Sequence, residues 1–157
     1  MEYGKPDNLK NIIYKDLLLI FIMGSLYMVL EGVWRGWTHI SMLVVGGISA
    51  FLIGRLNENP RFYDRKMWQE CIIGTGIVLI LEFTSGMILN VWLKLDIWNY
   101  GNMPGSLYGQ VCLPYAVLWF MLMPICIYTD DYLRYKLFSE KKPIGVLKNY
   151  VDLFMGK

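Results

Sequence analysis

The chain has 157 residues, of which 55% are hydrophobic and only 18% are charged. This composition excludes an ordinary soluble domain of that length. The net charge is only +2, and the basic residues are not gathered into a stripe beside aromatic residues, so nucleic acid is not an expected partner. We therefore expect a single membrane domain over residues 1–157.

Four apolar runs approach or exceed the roughly 20 residues that a helix needs to cross a hydrocarbon core about 30 Å thick. They predict an all-α polytopic membrane protein with transmembrane helices over residues 16–34, 38–55, 67–93 and 107–129, followed by a tail over 130–157. The first and third helices each carry one glutamate late in their length, Glu31 and Glu82. This similarity suggests two hairpins that are parallel repeats, related by an axis along the membrane normal.

The distribution of basic residues predicts the orientation, because lysine and arginine near helix ends are retained in the cytoplasm. The first and third connections carry one basic residue each, Arg35 and Lys94. Four spans with cytoplasmic N and C termini place all the basic segments inside. Those segments carry Lys5, Lys10, Lys15, Arg55, Arg61, Arg65, Lys66, Arg134, Lys136, Lys141, Lys142, Lys148 and Lys157.

The tail contains a second apolar pattern. After Pro143, the residues Ile144, Leu147, Val151 and Phe154 are spaced to line one face of a helix, with lysines between them. This pattern predicts an amphipathic interfacial helix on the inner membrane surface. A plain solvated tail is the alternative interpretation.

Glu31 and Glu82 are the two acidic residues that lie well away from the inner ends of the predicted spans. A carboxylate in hydrocarbon costs several kcal/mol unless it is paired, protonated or faces a polar cavity, so both are candidates for function. At 1.5 Å per residue, Glu31 lies roughly 22 Å beyond Asp16 and Glu82 roughly 21 Å beyond Trp68, which places both in the outer third of the membrane. We expect a polar cavity between the first and third helices, open to the outside and roofed by residues 94–106. The candidate substrate-binding residues are Glu31, Glu82, Arg35, Tyr27, Ser85, Asn90, Trp98, Asn99 and Tyr100.

Simpler interpretations exist for the same residues. Either glutamate can form an ion pair with Arg35 between helices or reach the headgroups. His39 is more typical of an interfacial residue than of a ligand or base. Asp130 and Asp131 are expected to be interfacial charges at the inner end of the fourth helix, although adjacent acids can also hold a divalent cation.

The sequence offers no pattern for a metal site, a cofactor or a catalytic residue. There is no Ser/His/Asp set, no CxxC pair and no GxxxxGK[ST] loop for nucleotide phosphates. The three cysteines are expected to be ordinary thiols within helices: Cys71, Cys112 and Cys126.

The segment LEFTSGMILN at residues 81–90, followed by WNY at 98–100, Pro104 and Gly109, resembles a family of small multi-pass bacterial membrane proteins. These are the ABC transporter permeases of the CmpB type. The resemblance spans about residues 20–125. It implies a transport function in the bacterial inner membrane, which is the plasma membrane of the cell.

Two positions depart from the pattern of that family. Asn99 stands where the family has an aspartate, and Ser106 stands where it has an asparagine. The first hairpin is similar as well, because Glu31 is followed by the pair Arg35-Gly36. The departures leave Glu31 and Glu82 as the intramembrane acids on which a function can depend.

The leading hypothesis is a permease-like transport protein, rather than an enzyme, for a small or lipophilic solute at the two glutamates. Membrane lipids are expected partners. Transport driven by ATP would need a separate ATPase subunit, and four helices favour a homodimer or a heteromeric membrane complex. The first alternative is an intramembrane lipid-binding protein or lipid-modifying enzyme. The second is a regulatory or scaffold subunit of a membrane complex.

Overall fold

The computed structural model describes residues 9–58 and 65–157, and the regular secondary structure in these ranges is helical, with no strand among them. Lys5 and Arg61, which contribute to the predicted orientation, lie outside the described residues. The helices are α1 (Leu9–Arg35), α2 (Ser41–Glu58), α3 (Met67–Gly86), α4 (Leu113–Phe138) and α5 (Val146–Phe154). α3 continues without a break into a π-helical segment, Met87–Trp92.

Three of the helical stretches are long and apolar enough to cross a membrane: Leu9–Arg35, Met67–Trp92 and Leu113–Phe138. α2 is equally apolar but shorter. The architecture therefore fits a membrane protein, while the predicted count of four spans and the parallel repeat stay predictions. The two hairpins differ in their connections. A turn over residues 36–40 joins α1 to α2, whereas the longer segment 93–112, here called the roof loop, joins α3 to α4.

α4 begins later and ends later than the apolar run of residues 107–129 indicates. Gly105 and Gly109 adopt positive φ angles of 67° and 71°, so the segment before Leu113 is a loop. Pro114 stands in the first turn of α4, where its missing amide donor costs nothing. The helix then continues past Asp130 because Arg134, one turn later, pairs with that carboxylate.

α1 and α2 form a hairpin with close backbone contact. A Cβ atom on Gly24 would meet the backbone carbonyl of Leu43, and one on Gly47 would meet the backbone carbonyl of Ile20. Small residues of this kind permit close helix association in lipid, where no hydrophobic effect drives the helices together. The main core lies where α2, α3, α4 and α5 meet and contains Ile53, Cys71, Val78, Met123, Ile127 and Leu153.

α5 is the helix predicted in the tail, and it packs on α3 and α4. Asn149 donates to the carbonyl oxygen of Pro124 at 3.3 Å, and the Tyr150 hydroxyl donates to that of Met121 at 2.6 Å. These donors lie beside the proline that interrupts the hydrogen bonds of α4. Leu147 and Phe154 on the predicted apolar face are 79% and 72% exposed, so that face points away from the bundle. The position of this face at the membrane surface stays a prediction.

Candidate functional site

Glu31 lies near the end of α1 beneath the roof loop and is only 8% exposed. Its carboxylate accepts hydrogen bonds at 2.5 Å from Arg35 Nη1 and at 2.5 Å from Thr38 Oγ1. The Arg35 guanidinium also donates to the backbone oxygen of Ile97 at 2.5 Å and lies 4.9 Å from the ring of Trp37. Glu31 is therefore neutralised by a partner on its own helix, and together the pair fastens the roof loop to α1. An ion pair of Glu31 with Arg35 was the simpler interpretation of the sequence. That interpretation placed the pair between helices, whereas it lies within α1.

Glu82 lies on α3 and is buried more deeply, with 4% of its surface exposed. The Tyr100 hydroxyl donates to Oε1 at 3.2 Å, and the Trp119 indole donates to Oε2 at 3.2 Å. Both donors are neutral. Within residues 9–58 and 65–157, no lysine, arginine or histidine forms an ion pair with Glu82. The two glutamates therefore differ, because Glu31 has a basic partner and Glu82 has neutral donors. Both are connected to the roof loop, Glu31 through Arg35 and Glu82 through Tyr100.

Aromatic rings surround the Glu82 carboxyl. The rings of Trp119 and Tyr27 have centroids 5.9 Å apart and are tilted by 43°, and the rings of Tyr100 and Tyr115 stack at 4.6 Å. Burial, with the nearby Glu82 carboxylate, raises the pKa of Tyr100 above its ordinary value. Its hydroxyl therefore keeps its proton and remains a donor. Tyr27, one of the rings around Glu82, lies one helical turn before Glu31 on α1. Both glutamates therefore lie at the same end of the bundle.

Three of the predicted site residues form the framework of the roof loop instead of facing a cavity. Asn90 accepts from the amide of Ile97 at 2.7 Å and donates to the carbonyl oxygen of Trp98 at 3.0 Å. Its amide also donates to the Gln110 side chain at 2.8 Å, and the Trp98 indole donates to the Gln110 backbone oxygen at 3.0 Å. Asn99 accepts from the amide of Gly101 at 2.8 Å and so shapes a turn.

Ser85 and His39 also have local structural partners. The Ser85 hydroxyl donates to the backbone oxygen of Leu81 at 2.6 Å on its own helix. His39 Nδ1 lies 2.8 Å from the hydroxyl oxygen of Ser41 at the start of α2, which fits an interfacial role. Of the nine predicted substrate-binding residues, the structure therefore brings Glu82, Tyr27 and Tyr100 together around one carboxyl.

A cavity of about 430 Å³ lies among α1, α2 and α4, and α3 contributes Val78 and Glu82 to its wall. The predicted cavity was polar, lay between the first and third helices and used both glutamates. The observed wall is mainly apolar, and Glu31 is not part of it. The physical reason is that the polar groups of these helices bond to one another or to their own backbone. The lining residues are Met23, Leu26, Tyr27, Val29, Leu30, Met42, Val45, Gly46, Ser49, Ala50, Ile53, Val78, Glu82, Trp119, Leu122, Met123, Ile125, Cys126 and Thr129.

The mouth of the cavity lies between α1 and α4. Leu26 and Leu30 on α1 and Leu122 and Ile125 on α4 line the cavity and are also substantially exposed on the side of the bundle. In a membrane, apolar side chains on this outer surface face lipid. The cavity therefore opens sideways, toward the region that acyl chains would occupy, rather than through the roof loop.

Two residues of the site escaped the sequence analysis, Trp119 and Gln110. Tryptophans of membrane helices usually lie at the membrane interfaces, whereas Trp119 lies in the middle of an apolar run. An indole N–H at that depth needs an acceptor within the protein, and this was the signal in the sequence. Gln110 is a lone amide within the apolar run assigned to the fourth helix. In a hydrocarbon setting such an amide requires partners, and it finds them in Asn90 and in the Tyr108 carbonyl oxygen at 2.8 Å.

The opposite end of the bundle carries a set of charges. Asp130, expected as an interfacial charge, is fully buried and pairs with Arg134 at 2.6 Å. Asp16 on α1 pairs with Arg55 on α2 at 2.6 Å. The pair of Asp16 and Arg55 thus joins α1 to α2 at this charged end, whereas the roof loop and the aromatic rings around Glu82 join the helices at the other end.

A family model described as "Putative ABC-transporter type IV" matches residues 19–148, which include both glutamates, the roof loop and the cavity. The chain belongs to the ABC-transporter type IV family. The match confirms the resemblance found in the sequence and extends it over α4 and into α5. Comparison with curated proteins and with solved structures gave no match.

Proposed function

We propose that this member of the ABC-transporter type IV family is a permease-like membrane component that binds a small lipophilic solute in the cavity beside Glu82. The observation that carries the proposal is the sideways mouth between α1 and α4. A solute dissolved in the bilayer can reach such a site without crossing the roof loop. A solute in water would instead need a polar path from the end of the bundle.

The chemistry of the wall supports a lipophilic solute. The Ser49 and Thr129 hydroxyls both donate to carbonyl oxygens of their own helices at 2.7 Å. They are therefore poorly placed to bind polar groups of a solute, and Glu82 is the acidic group of the lining. Burying apolar solute surface against the remaining side chains would contribute about 25 cal/mol per Å².

The orientation belongs to the same proposal. The roof loop would face the outside of the bacterial plasma membrane, and the charged end with both termini would face the cytoplasm. Because the sequence lacks a phosphate-binding GxxxxGK[ST] loop, ATP-driven movement would use a separate ATPase subunit within a homodimeric or heteromeric complex. In this account Glu31 and Arg35 hold the roof loop in place and do not contact the solute.

The proposal is tested with an uncharged long-chain hydrocarbon that carries a photoreactive diazirine, applied to the protein in lipid nanodiscs. Saturable labelling should map to peptides of α1 and α4 that line the mouth. Ser49→Phe fills the cavity and should abolish the saturable component. Ser25→Phe is the matched control, because Ser25 also bonds to its own helix but does not line the cavity. Uniform, non-saturable labelling of all lipid-facing surfaces would contradict the proposal.

The same mouth also favours a second candidate, an intramembrane protein that binds or modifies lipids. Under that candidate a defined lipid should remain bound through purification and be lost in Ser49→Phe. Native mass spectrometry of gently extracted protein distinguishes the two, because it reports lipids, partner subunits and copy number together. A regulatory or scaffold subunit would show neither bound lipid nor saturable labelling.

A further inference from the structure

We infer that the cavity binds a lipophilic organic cation, whose charged group lies beside Glu82 and against the rings of Tyr27 and Trp119. This inference rests on the proposed function and specifies the class of its solute. It draws on three features of the described residues: an acidic group without a basic partner, two aromatic side chains on the cavity wall, and an apolar remainder.

The first feature is the contrast between the two glutamates. Glu31 has Arg35 at 2.5 Å, whereas the partners of Glu82 among the described residues are the neutral donors Tyr100 and Trp119 at 3.2 Å. A buried carboxylate without a counter-ion is unfavourable in an apolar bundle. A cationic ligand in the adjoining cavity would supply the charge that the described residues do not supply.

The second feature is the position of the aromatic rings. Tyr27 and Trp119 both line the cavity, and the planes of their rings are tilted by 43° to each other. The negative face of an aromatic ring attracts a cation, most strongly when water is excluded, and such walls bind quaternary ammonium groups. Glu82 and the two rings together therefore resemble a partial cage for a cation with several apolar substituents.

The third feature is the rest of the wall, which selects for apolar substituents. Met23, Met42 and Met123 contribute to a space of about 430 Å³. Methionine side chains are flexible and polarisable, so they adapt to ligands of different shapes. We expect recognition by charge and hydrophobicity rather than by a fixed set of hydrogen bonds.

The test uses radiolabelled tetraphenylphosphonium and the protein in nanodiscs of uncharged phosphatidylcholine. Unlabelled tetraphenylphosphonium should compete for binding, and tetraphenylborate, with the same shape and the opposite charge, should not. Glu82→Gln should weaken binding at least tenfold. Glu70→Gln is the matched control, because Glu70 is a second buried glutamate of α3 that does not line the cavity, and it should change binding less than threefold.

Equal competition by tetraphenylborate would overturn the inference, and this result on the unaltered protein holds even if a variant fails to fold. Wild-type affinity in a folded Glu82→Gln protein would overturn it as well. The uncharged diazirine probe separates this failure from failure of the proposed function. Cavity labelling that tetraphenylphosphonium does not displace would leave the lipophilic site standing without the cation, whereas absence of labelling would contradict both.

Discussion

Trp119 on α4 donates its indole hydrogen to the carboxyl of Glu82 on α3 at 3.2 Å. Because Trp119 also contacts Tyr27 on α1, this one side chain connects three helices around the cavity. The acid that has no basic partner among the described residues is thus held in place by neutral donors, and part of it remains available on the cavity wall.

The ion pair of Glu31 and Arg35 is expected to contribute strongly to stability. Arg35→Met leaves the Glu31 carboxylate buried without its cation and removes the bond to Ile97. We expect a loss of about 3 kcal/mol in the free energy of unfolding. Lys94→Met, which changes an exposed charge of the roof loop, should change it by less than about 0.5 kcal/mol. Denaturant unfolding in detergent measures both, and equal effects would contradict the role assigned to Arg35.

Gly86 and Gly76 provide a matched pair on α3. A Cβ atom on Gly86 would meet the Gln110 side chain, whereas one on Gly76 would meet nothing within 4 Å. Gly86→Ala should therefore displace Gln110 from Asn90 and cost about 1 to 2 kcal/mol, because buried amides lose a partner. Gly76→Ala should be neutral or stabilising by about 0.5 to 1 kcal/mol through helix propensity. If the two variants unfold at the same denaturant concentration, the roof loop is not packed as described.

The pair Asp130 and Arg134 can be compared with the pair Asp152 and Lys148, since both have the same spacing on a helix. The first pair is buried, and Lys148 of the second is 59% exposed. Asp130→Asn should cost about 3 kcal/mol, the usual cost of breaking a buried pair. Asp152→Asn should cost less than about 0.5 kcal/mol. Thermal unfolding monitored by circular dichroism compares them, and a larger effect of Asp152→Asn would contradict the assignment of a buried charged end.

The docking of α5 depends on Asn149. Asn149→Ala removes the hydrogen bond to the Pro124 carbonyl oxygen, which we expect to be worth about 1 kcal/mol. Hydrogen exchange of the amides of Val146–Phe154 should then rise several-fold, while exchange in α2 stays unchanged. Lys148→Ala, on the exposed side of α5, serves as the control. Equal protection in both variants would show that the Asn149 contact does not hold this helix in place.

The sequence predicted the helical class, the four apolar helices and the helix after Pro143, because these depend on hydrophobic runs and spacing. It could not predict that α4 extends to Phe138, since a hydropathy pattern ends at the first charges. The burial of the Asp130–Arg134 pair depends on packing against other helices, which the hydropathy of one segment does not reveal. The loop glycines before Leu113 were likewise hidden, because glycine fits both a packing seam and a turn.

For the site, the sequence identified the carboxylates but could not assign their partners. Arg35 lies one turn from Glu31 and is remote from Glu82 along the chain, and no pattern decides between them. One partner of Glu82 is an indole on α4, 37 residues away, and the other is the Tyr100 hydroxyl in the roof loop. The cavity wall is assembled from apolar faces of four helices, and such faces are indistinguishable in sequence from ordinary packing or lipid-facing surfaces.

The difference between the two glutamates can be tested most directly with dicyclohexylcarbodiimide, a lipophilic reagent that converts accessible carboxyl groups in apolar surroundings to N-acylureas. Protein in nanodiscs is treated and the adduct is located by peptide mass spectrometry. The account predicts one adduct on Glu82, reduced by tetraphenylphosphonium, and none on Glu31. An adduct on Glu31, or a Glu82 that stays unmodified while the reagent enters the bilayer, would contradict it.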